Sequence, residues 1–152
     1  LFRRIFGIIT KKENWLSHLE RKQYDMSVHE SGEMYLEAIL VLSPQNPFVR
    51  SVDVGEYLGY SKPSVSRAMG ILRKGGYVRV EDTGALILTD AGREVAEKIY
   101  ERHTVLSRLL IELGVSEGTA LADACKMEHT ISDESFRALK QHYANWMEKK
   151  PV

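Results

Sequence analysis

Cys125, Glu128 and His129 stand at positions i, i+3 and i+4 of one helical segment. On a helix that spacing sets a thiol, a carboxylate and an imidazole on one face, close enough to share one ion. Met34 and Glu37 form a second i, i+3 pair, and His103 falls in the middle of a long helical stretch. A thiolate and a thioether beside imidazole and carboxylate suit a borderline divalent metal such as iron(II), cobalt or nickel, in preference to magnesium or calcium. Taken singly, each residue has a plainer reading. A lone cysteine on a helix is commonly a small core residue, and a methionine a packing residue. Glu128 and His129 read equally as an exposed polar pair, and His103 as a solvated helix residue. The Cys-x-x-Glu-His run raises the set above those readings.

A second group points to nucleic acid. Between Arg50 and Val80 six basic side chains face two acidic ones, a net +4. Between Tyr100 and Glu148 eight acids face five bases, a net −3. The whole chain carries no net charge, which argues against a general polyanion binder, but the asymmetry suits one part to phosphates and the other to cations. Lys62, Pro63, Ser64, Ser66 and Arg67 open a short helix whose inward stripe is Val65, Met69 and Leu72. Serines and a lysine there suit phosphate contacts and short base-edge hydrogen bonds, and an arginine reaches a guanine with two. Arg50, Arg73, Lys74 and Arg79 are the expected backbone-phosphate contacts. The plainer reading is a helical hairpin with solvated cations.

These residues need elements to hold them. Thr10 to Gln23 has a capping-box pattern at Thr10 and Glu13, with Trp15, Leu16 and Leu19 on one face, followed by a polar joint through Asp25 and Ser27. Ser31 is the expected cap of the next helix, whose apolar face is Met34, Ile39 and Leu42 and which Pro44 and Pro47 end. A short helix from Ser51 to Leu58, with Val52, Val54 and Leu58 as its inner side, is followed by Gly59. Ser61 then opens the next helix, with Pro63 in its first turn and Gly75-Gly76 at its close. Tyr77–Val80 and Leu86–Leu88 flank Asp82-Thr83-Gly84, the pattern of a hairpin. Helices follow from Asp90 to Leu113, Ser116 to His129 and Ser132 to Met147. Short helix, turn, second helix and hairpin is the order of a winged helix-turn-helix, in which the second helix enters the major groove. The fold class is therefore mainly α. Residues 1–27 form an extension expected to be helical, residues 28–92 a winged helix-turn-helix domain with a small β-hairpin wing, and residues 93–152 a helical metal-binding and dimerisation domain.

Length and composition agree with this. With 152 residues, 43% hydrophobic and 28% charged, the chain has the make-up of one globular domain or two small ones. The best apolar stretch, Ala38 to Leu42, is far too short to span a bilayer. The apolar start is interrupted by Arg3, Arg4 and Gly7, with no small-residue cleavage site, so a cytoplasmic protein without a membrane partner is expected. One cysteine excludes an internal disulfide framework.

In these residues the chain resembles the diphtheria toxin repressor family, iron- and manganese-dependent regulators of bacterial metal uptake. The matching pieces are Glu33-Met34-Tyr35-Leu36-Glu37, Ser61-Lys62-Pro63-Ser64-Val65-Ser66, Leu88-Thr89-Asp90-Ala91-Gly92, Arg102-His103, Arg108-Leu109-Leu110 and Asp123 to Ser132, in family order. The resemblance implies a homodimer on double-stranded operator DNA, with a divalent metal joining the Met34 helix to the Cys125 helix. Its iron-responsive members use a Met, Cys, Glu, His set, which maps onto Met34, Cys125, Glu128 and His129. In its manganese-responsive members carboxylates replace the Met and the Cys and a glutamate at the position of Glu37 joins in, and both branches use the histidine matched by His103. Fe(II) is thus the favoured cofactor, Mn(II) the alternative, and Co(II) or Ni(II) in vitro substitutes. Ser107 and Leu121 stand where the longer iron regulators have ancillary ligands, so His103 would need other partners, such as Glu101 or Asp123, to hold a second ion. The resemblance is to the short form without the SH3-like domain.

The expected activity is metal-dependent repression of metal-uptake genes, weakening as protons compete for the ligands. Two rivals remain at this stage. One is a winged-helix regulator with Cys125 as a redox switch, and the other a small metalloenzyme, which requires an open coordination position and a general base.

Overall fold

The computed structural model describes residues 30–149, which form six helices and one two-stranded sheet. The expected extension over residues 1–27, with its Thr10–Glu13 cap, its Trp15 face and the joint through Asp25 and Ser27, lies outside them, as do residues 150–152. Helix α1 covers residues 30–42. It already includes residue 30, so Ser31 sits within the helix instead of capping it. Local cap signals fix a helix end only to within a residue or two.

Helix α1 has two working faces. Tyr35, Leu36, Ala38 and Ile39 are buried in a core shared with Val54, Val65, Met69, Leu72, Val78, Leu86 and Ala96. Met34 was expected on that face with Ile39 and Leu42. It instead lies with Glu37 and Val41 against a cavity on the other side, because i, i+3 and i+7 form a row that Ile39 is not part of.

Helix α2 (Ser51–Leu58) starts where the Asp53 carboxylate accepts the Arg50 backbone N–H at 2.6 Å. Val54 is buried and Leu58 packs on the core, but Val52 is largely exposed. Two positions turn a helix by about 200°, so Val52 and Val54 cannot share a face. Gly59 follows with φ +70°, a left-handed closure that glycine adopts without strain. Helix α3 (Lys62–Lys74) begins after Ser61 with Pro63 in its first turn, and buries Val65, Met69 and Leu72 as the spacing predicts.

Strands β1 (Val78–Val80) and β2 (Leu86–Leu88) pair antiparallel, Val78 opposite Leu88 and Val80 opposite Leu86. The Leu86 N–H donates to the Val49 carbonyl at 2.7 Å, which ties the hairpin to the loop after α1. Helix α4 (Asp90–Glu112) then runs from the wing into the second half of the molecule, unbroken across position 92. Helices α5 (Glu117–Thr130) and α6 (Asp133–Glu148) complete the chain. No described helix is long and apolar enough to cross a membrane.

The wing and α4 are joined by Thr89. Its hydroxyl donates to the Gly76 carbonyl at 2.7 Å and accepts the Gly92 N–H at 3.1 Å, capping α4. Gly92 is buried, and a Cβ there would stand 2.0 Å from the Tyr77 carbonyl oxygen. That oxygen is backbone, already engaged by the Thr89 N–H at 3.0 Å, and cannot step aside alone. Gly92→Ala should therefore destabilise the protein by about 2–3 kcal/mol, the cost of overpacking a closed site. Urea denaturation measures this, and an unchanged midpoint would remove the close approach from the account.

Candidate metal centre and DNA-reading helix

Three of the ligands read from the sequence converge directly. One ligand atom each from Glu37 on α1, His103 on α4 and Glu128 on α5 lie within 4.8 Å of one another. Met34 and Cys125 line the same cavity of about 380 Å³ as Glu37 and His103, with Tyr57, Tyr100, Thr104, Ser107 and Leu121 among its other walls. His129 stands beside the cluster, its Nε2 3.2 Å from Glu128 Oε1. All six expected ligands therefore sit at one junction of α1, α4 and α5.

Glu128 and His129 are not a surface pair. Glu128 has no exposed surface, and the His129 side chain is only 2% exposed. Glu128 Oε2 is 2.7 Å from His103 Nδ1, a hydrogen-bonded ion pair. Its Oε1 faces His129 Nε2, yet the pair is not aligned as a hydrogen bond, and both atoms lack a hydrogen-bond partner. Two buried polar atoms that face each other without a hydrogen bond are costly as they stand. They are what a cation site needs, and the donor set of carboxylates, imidazoles, thiol and thioether fits a divalent transition metal.

The electrostatics agree. Burial first, and the Glu128 charge second, push the Glu37 carboxyl up to about 7. The Glu128 bond lifts the His103 imidazole above its ordinary range against the effect of burial. Burial also opposes the charged form of His129, but the Glu128 and Glu33 carboxylates overcome it and raise that imidazole to about 9. For Glu128, burial works upward, and the two histidines outweigh it and hold the carboxyl below its usual range. The centre thus retains protons to offset its carboxylates, a role that a divalent cation can take over. Cys125 is half-buried, and burial followed by the Glu128 and Glu37 charges raises its thiol. Reactive thiols have electropositive surroundings, so this one is poorly placed as a redox switch.

Two positioning residues were not singled out by spacing. Glu33 lies one turn before Glu37, and its Oε2 is 2.8 Å from His129 Nδ1. It leaves Nε2 as the free nitrogen of that ring. The i, i+4 relation of Glu33 to Glu37 was the available signal. Arg102, buried within α4, donates through Nη1 to the Glu128 carbonyl at 2.8 Å and the Ile131 carbonyl at 3.0 Å. It pairs through Nη2 with Asp133 and lies over the Phe136 ring at 5.5 Å. It thereby pins the last turn of α5, which carries Glu128 and His129. Glu101 and Asp123, suggested partners of His103 at a second ion, pair with Lys140 and Lys126 instead.

The residues expected to read DNA lie at the surface. Lys62, Pro63, Ser64, Ser66 and Arg67 are all exposed along the first half of α3, whose buried stripe is Val65, Met69 and Leu72. Arg73 and Lys74 are exposed at its end, Arg79 on β1 and Arg50 before α2. Glu81 and Asp82 make the wing tip acidic, and Arg79 on β1 is exposed beside them.

Comparison with known proteins follows the same division. The iron dependent repressor N-terminal DNA binding domain matches residues 27–86, and the iron dependent repressor metal binding and dimerisation domain matches residues 89–150. The chain belongs to the iron-dependent repressor family. It is 35% identical over 113 residues to an uncharacterised HTH-type transcriptional regulator of Methanocaldococcus jannaschii, covering 73% of this chain and 90% of that one. It is 31% identical over 132 residues to the transcriptional regulator MntR of Salmonella typhimurium, covering 86% and 84%. It is 31% identical over 111 residues to the iron-dependent repressor IdeR of Mycobacterium tuberculosis, covering 72% of this chain and 48% of that one. Among solved structures, the metal-dependent transcriptional regulator MtsR aligns with TM-score 0.70 at 25% identity, covering 74% of this chain and 53% of that one. A manganese-dependent transcriptional repressor in complex with manganese aligns with TM-score 0.68 at 28% identity, covering 74% and 52%. The chain spans about half the length of these structures. This member of the repressor family is a DNA-binding regulator, not an enzyme.

Glu33→Ala removes the partner of His129 Nδ1 without removing a ligand. Divalent-metal affinity should fall by about tenfold or more, the usual effect of losing a ligand's orienting partner. Calorimetric titration tests this, and wild-type affinity in a folded variant would remove Glu33 from the site.

Proposed function

We propose that the chain is a homodimeric repressor that binds a palindromic operator when loaded with Fe(II), with Mn(II) as the alternative ion, and controls metal-uptake genes in the cytoplasm. The observation that carries this reading is the buried pair Glu128 Oε1 and His129 Nε2, both without a hydrogen bond, beside the Glu37, His103 and Glu128 cluster. The ligands come from both halves of the molecule. Met34 and Glu37 belong to a helix packed in the DNA-reading core, and His103, Cys125, Glu128 and His129 to α4 and α5. When bound, a divalent ion supplies positive charge and Lewis-acid bonds to this carboxylate-rich junction. The residues themselves then hold α1 against α4 and α5, which favours one placement of the reading helix relative to the dimer. The two recognition helices of a dimer would stand about 34 Å apart, one turn of DNA.

The choice of metal rests on the donors. Met34 and Cys125 favour iron(II), whereas Glu37 suits manganese(II). The two oxygens of Glu128 face different histidines, so calorimetric stoichiometry is the measure of ion number. The names of relatives point both ways, one an iron-dependent repressor and another solved as a manganese-dependent repressor.

Anaerobic mobility-shift titration with Fe(II) and with Mn(II), on a palindromic promoter fragment, should raise DNA affinity, with Fe(II) acting at the lower concentration. A chelator should reverse it, and no response to either ion ends the sensor reading. Arg67→Ala should cost about 1–3 kcal/mol on that operator while non-specific binding changes less. Equal losses on operator and random DNA would make Arg67 a phosphate contact. Cys125→Asp should keep a metal response while shifting preference toward Mn(II), whereas a redox switch would lose all response.

A further inference from the structure

Tyr60 occupies the position between the two functional halves. It follows the left-handed Gly59 and precedes Ser61, the N-cap position of α3. Its N–H donates to the Gly55 carbonyl at 2.9 Å, closing the turn of the helix-turn-helix. Its ring meets Tyr35 edge-on, with centroids 5.8 Å apart and planes at 61°. Its hydroxyl donates to Met34 Sδ at 3.8 Å. The side chain remains 40% exposed, so burial alone does not fix it. The hydroxyl contact therefore matters to where the ring sits.

We propose that Tyr60 is the positioning residue through which the state of the Met34 sulfur reaches the DNA-reading helix. The proposal rests on the reading of Met34 as a metal ligand. A thioether is a weak acceptor, and in the structure the phenol is the hydrogen-bond donor to Met34 Sδ. When the sulfur gives electron density to an ion, it becomes a poorer acceptor, and the O–H···S contact weakens. Tyr60 is then free to turn, and its backbone is one residue from the cap of α3. The residues that move with that position are Lys62, Ser64, Ser66 and Arg67, all exposed and expected to read DNA. Tyr57, on the helix just before this turn, lines the metal cavity itself, so the helix-turn-helix bears on the centre at two points. Tyr60 serves neither as ligand nor as base contact; it relates the two.

The test is Tyr60→Phe, which keeps the ring against Tyr35 and removes only the hydroxyl. Metal-saturated DNA affinity should stay within about twofold of wild type and the thermal midpoint close to it, whereas metal-free DNA affinity should rise and metal affinity should not fall, because the lost contact belongs to the metal-free state. The gain in DNA affinity produced by saturating metal should change by about three- to tenfold, the scale of one modest hydrogen bond. In a Met34→Leu background the same substitution should have no further effect, because the sulfur it answers to is gone. An equal effect with and without metal, or an undiminished effect beside Met34→Leu, overturns the proposal.

A measurement without DNA separates this inference from the regulatory reading. With 3-fluorotyrosine incorporated, and Tyr60 assigned by Tyr60→Phe, the Tyr60 fluorine resonance should move on saturation with Zn(II), and stay in place in zinc-saturated Met34→Leu. A resonance indifferent to Zn(II) in wild type overturns the Tyr60 proposal even where DNA affinity responds to metal. A resonance that moves in a protein whose DNA affinity ignores Fe(II) and Mn(II) supports the Tyr60 link and overturns the regulatory reading alone.

Discussion

A carboxylate without exposed surface must be compensated from within the protein, and Glu128 draws that compensation from several elements at once. His103 on α4 approaches one oxygen and His129 on its own helix faces the other. Glu33 on α1 then holds the far side of His129. Removing a buried charge's partner is far more costly than losing a surface pair, so these helices cannot drift apart cheaply while Glu128 stays ionised. The protons that balance the cluster are also the ones a divalent cation bound there would displace. The same constraint thus closes the fold around the candidate centre.

Helix α4 turns this local constraint into a connection between halves. It starts at the Thr89 cap against the wing, passes the DNA-reading core at Ala96, and continues to His103 and the buried Arg102. Arg102 fixes the end of α5 by its carbonyls, so the ligand-bearing turn is held from behind. Gly92 allows the helix to start against the Tyr77 carbonyl. On the other side, α1 gives one face to the reading core and the other to the metal cavity. A single helix serving two environments carries information between them without a flexible joint.

Much of the fold was legible because its signals are local. The Gly59 turn, the Ser61–Pro63 helix start, the 82–84 hairpin and the apolar period of α3 follow from backbone preferences and from burial on one face. The element ends at Leu58, Lys74 and Leu88 lie where those signals put them. Departures occur where an element has two faces or an end decided by packing. Met34 was grouped with Ile39 and Leu42 because hydrophobicity alone cannot say which apolar residue turns toward a second cavity. Val52 was placed inward although its position on α2 points it to solvent.

The candidate site divides the same way. Residue types and spacing determined its chemistry by themselves, since Cys-x-x-Glu-His and Met-x-x-Glu each define one helix face by the 3.6-residue period. The same period set the buried stripe Val65, Met69 and Leu72 of α3, which leaves Ser64, Ser66 and Arg67 off it. Only the tertiary structure decided that the two faces meet. It also decided that Glu128 is buried, that Glu33 and Arg102 hold the ligand turn, and that Tyr60 touches Met34. Those relations join residues 26 to 96 positions apart. No helical period reaches so far. Burial and unpartnered polar atoms exist only once the helices have packed.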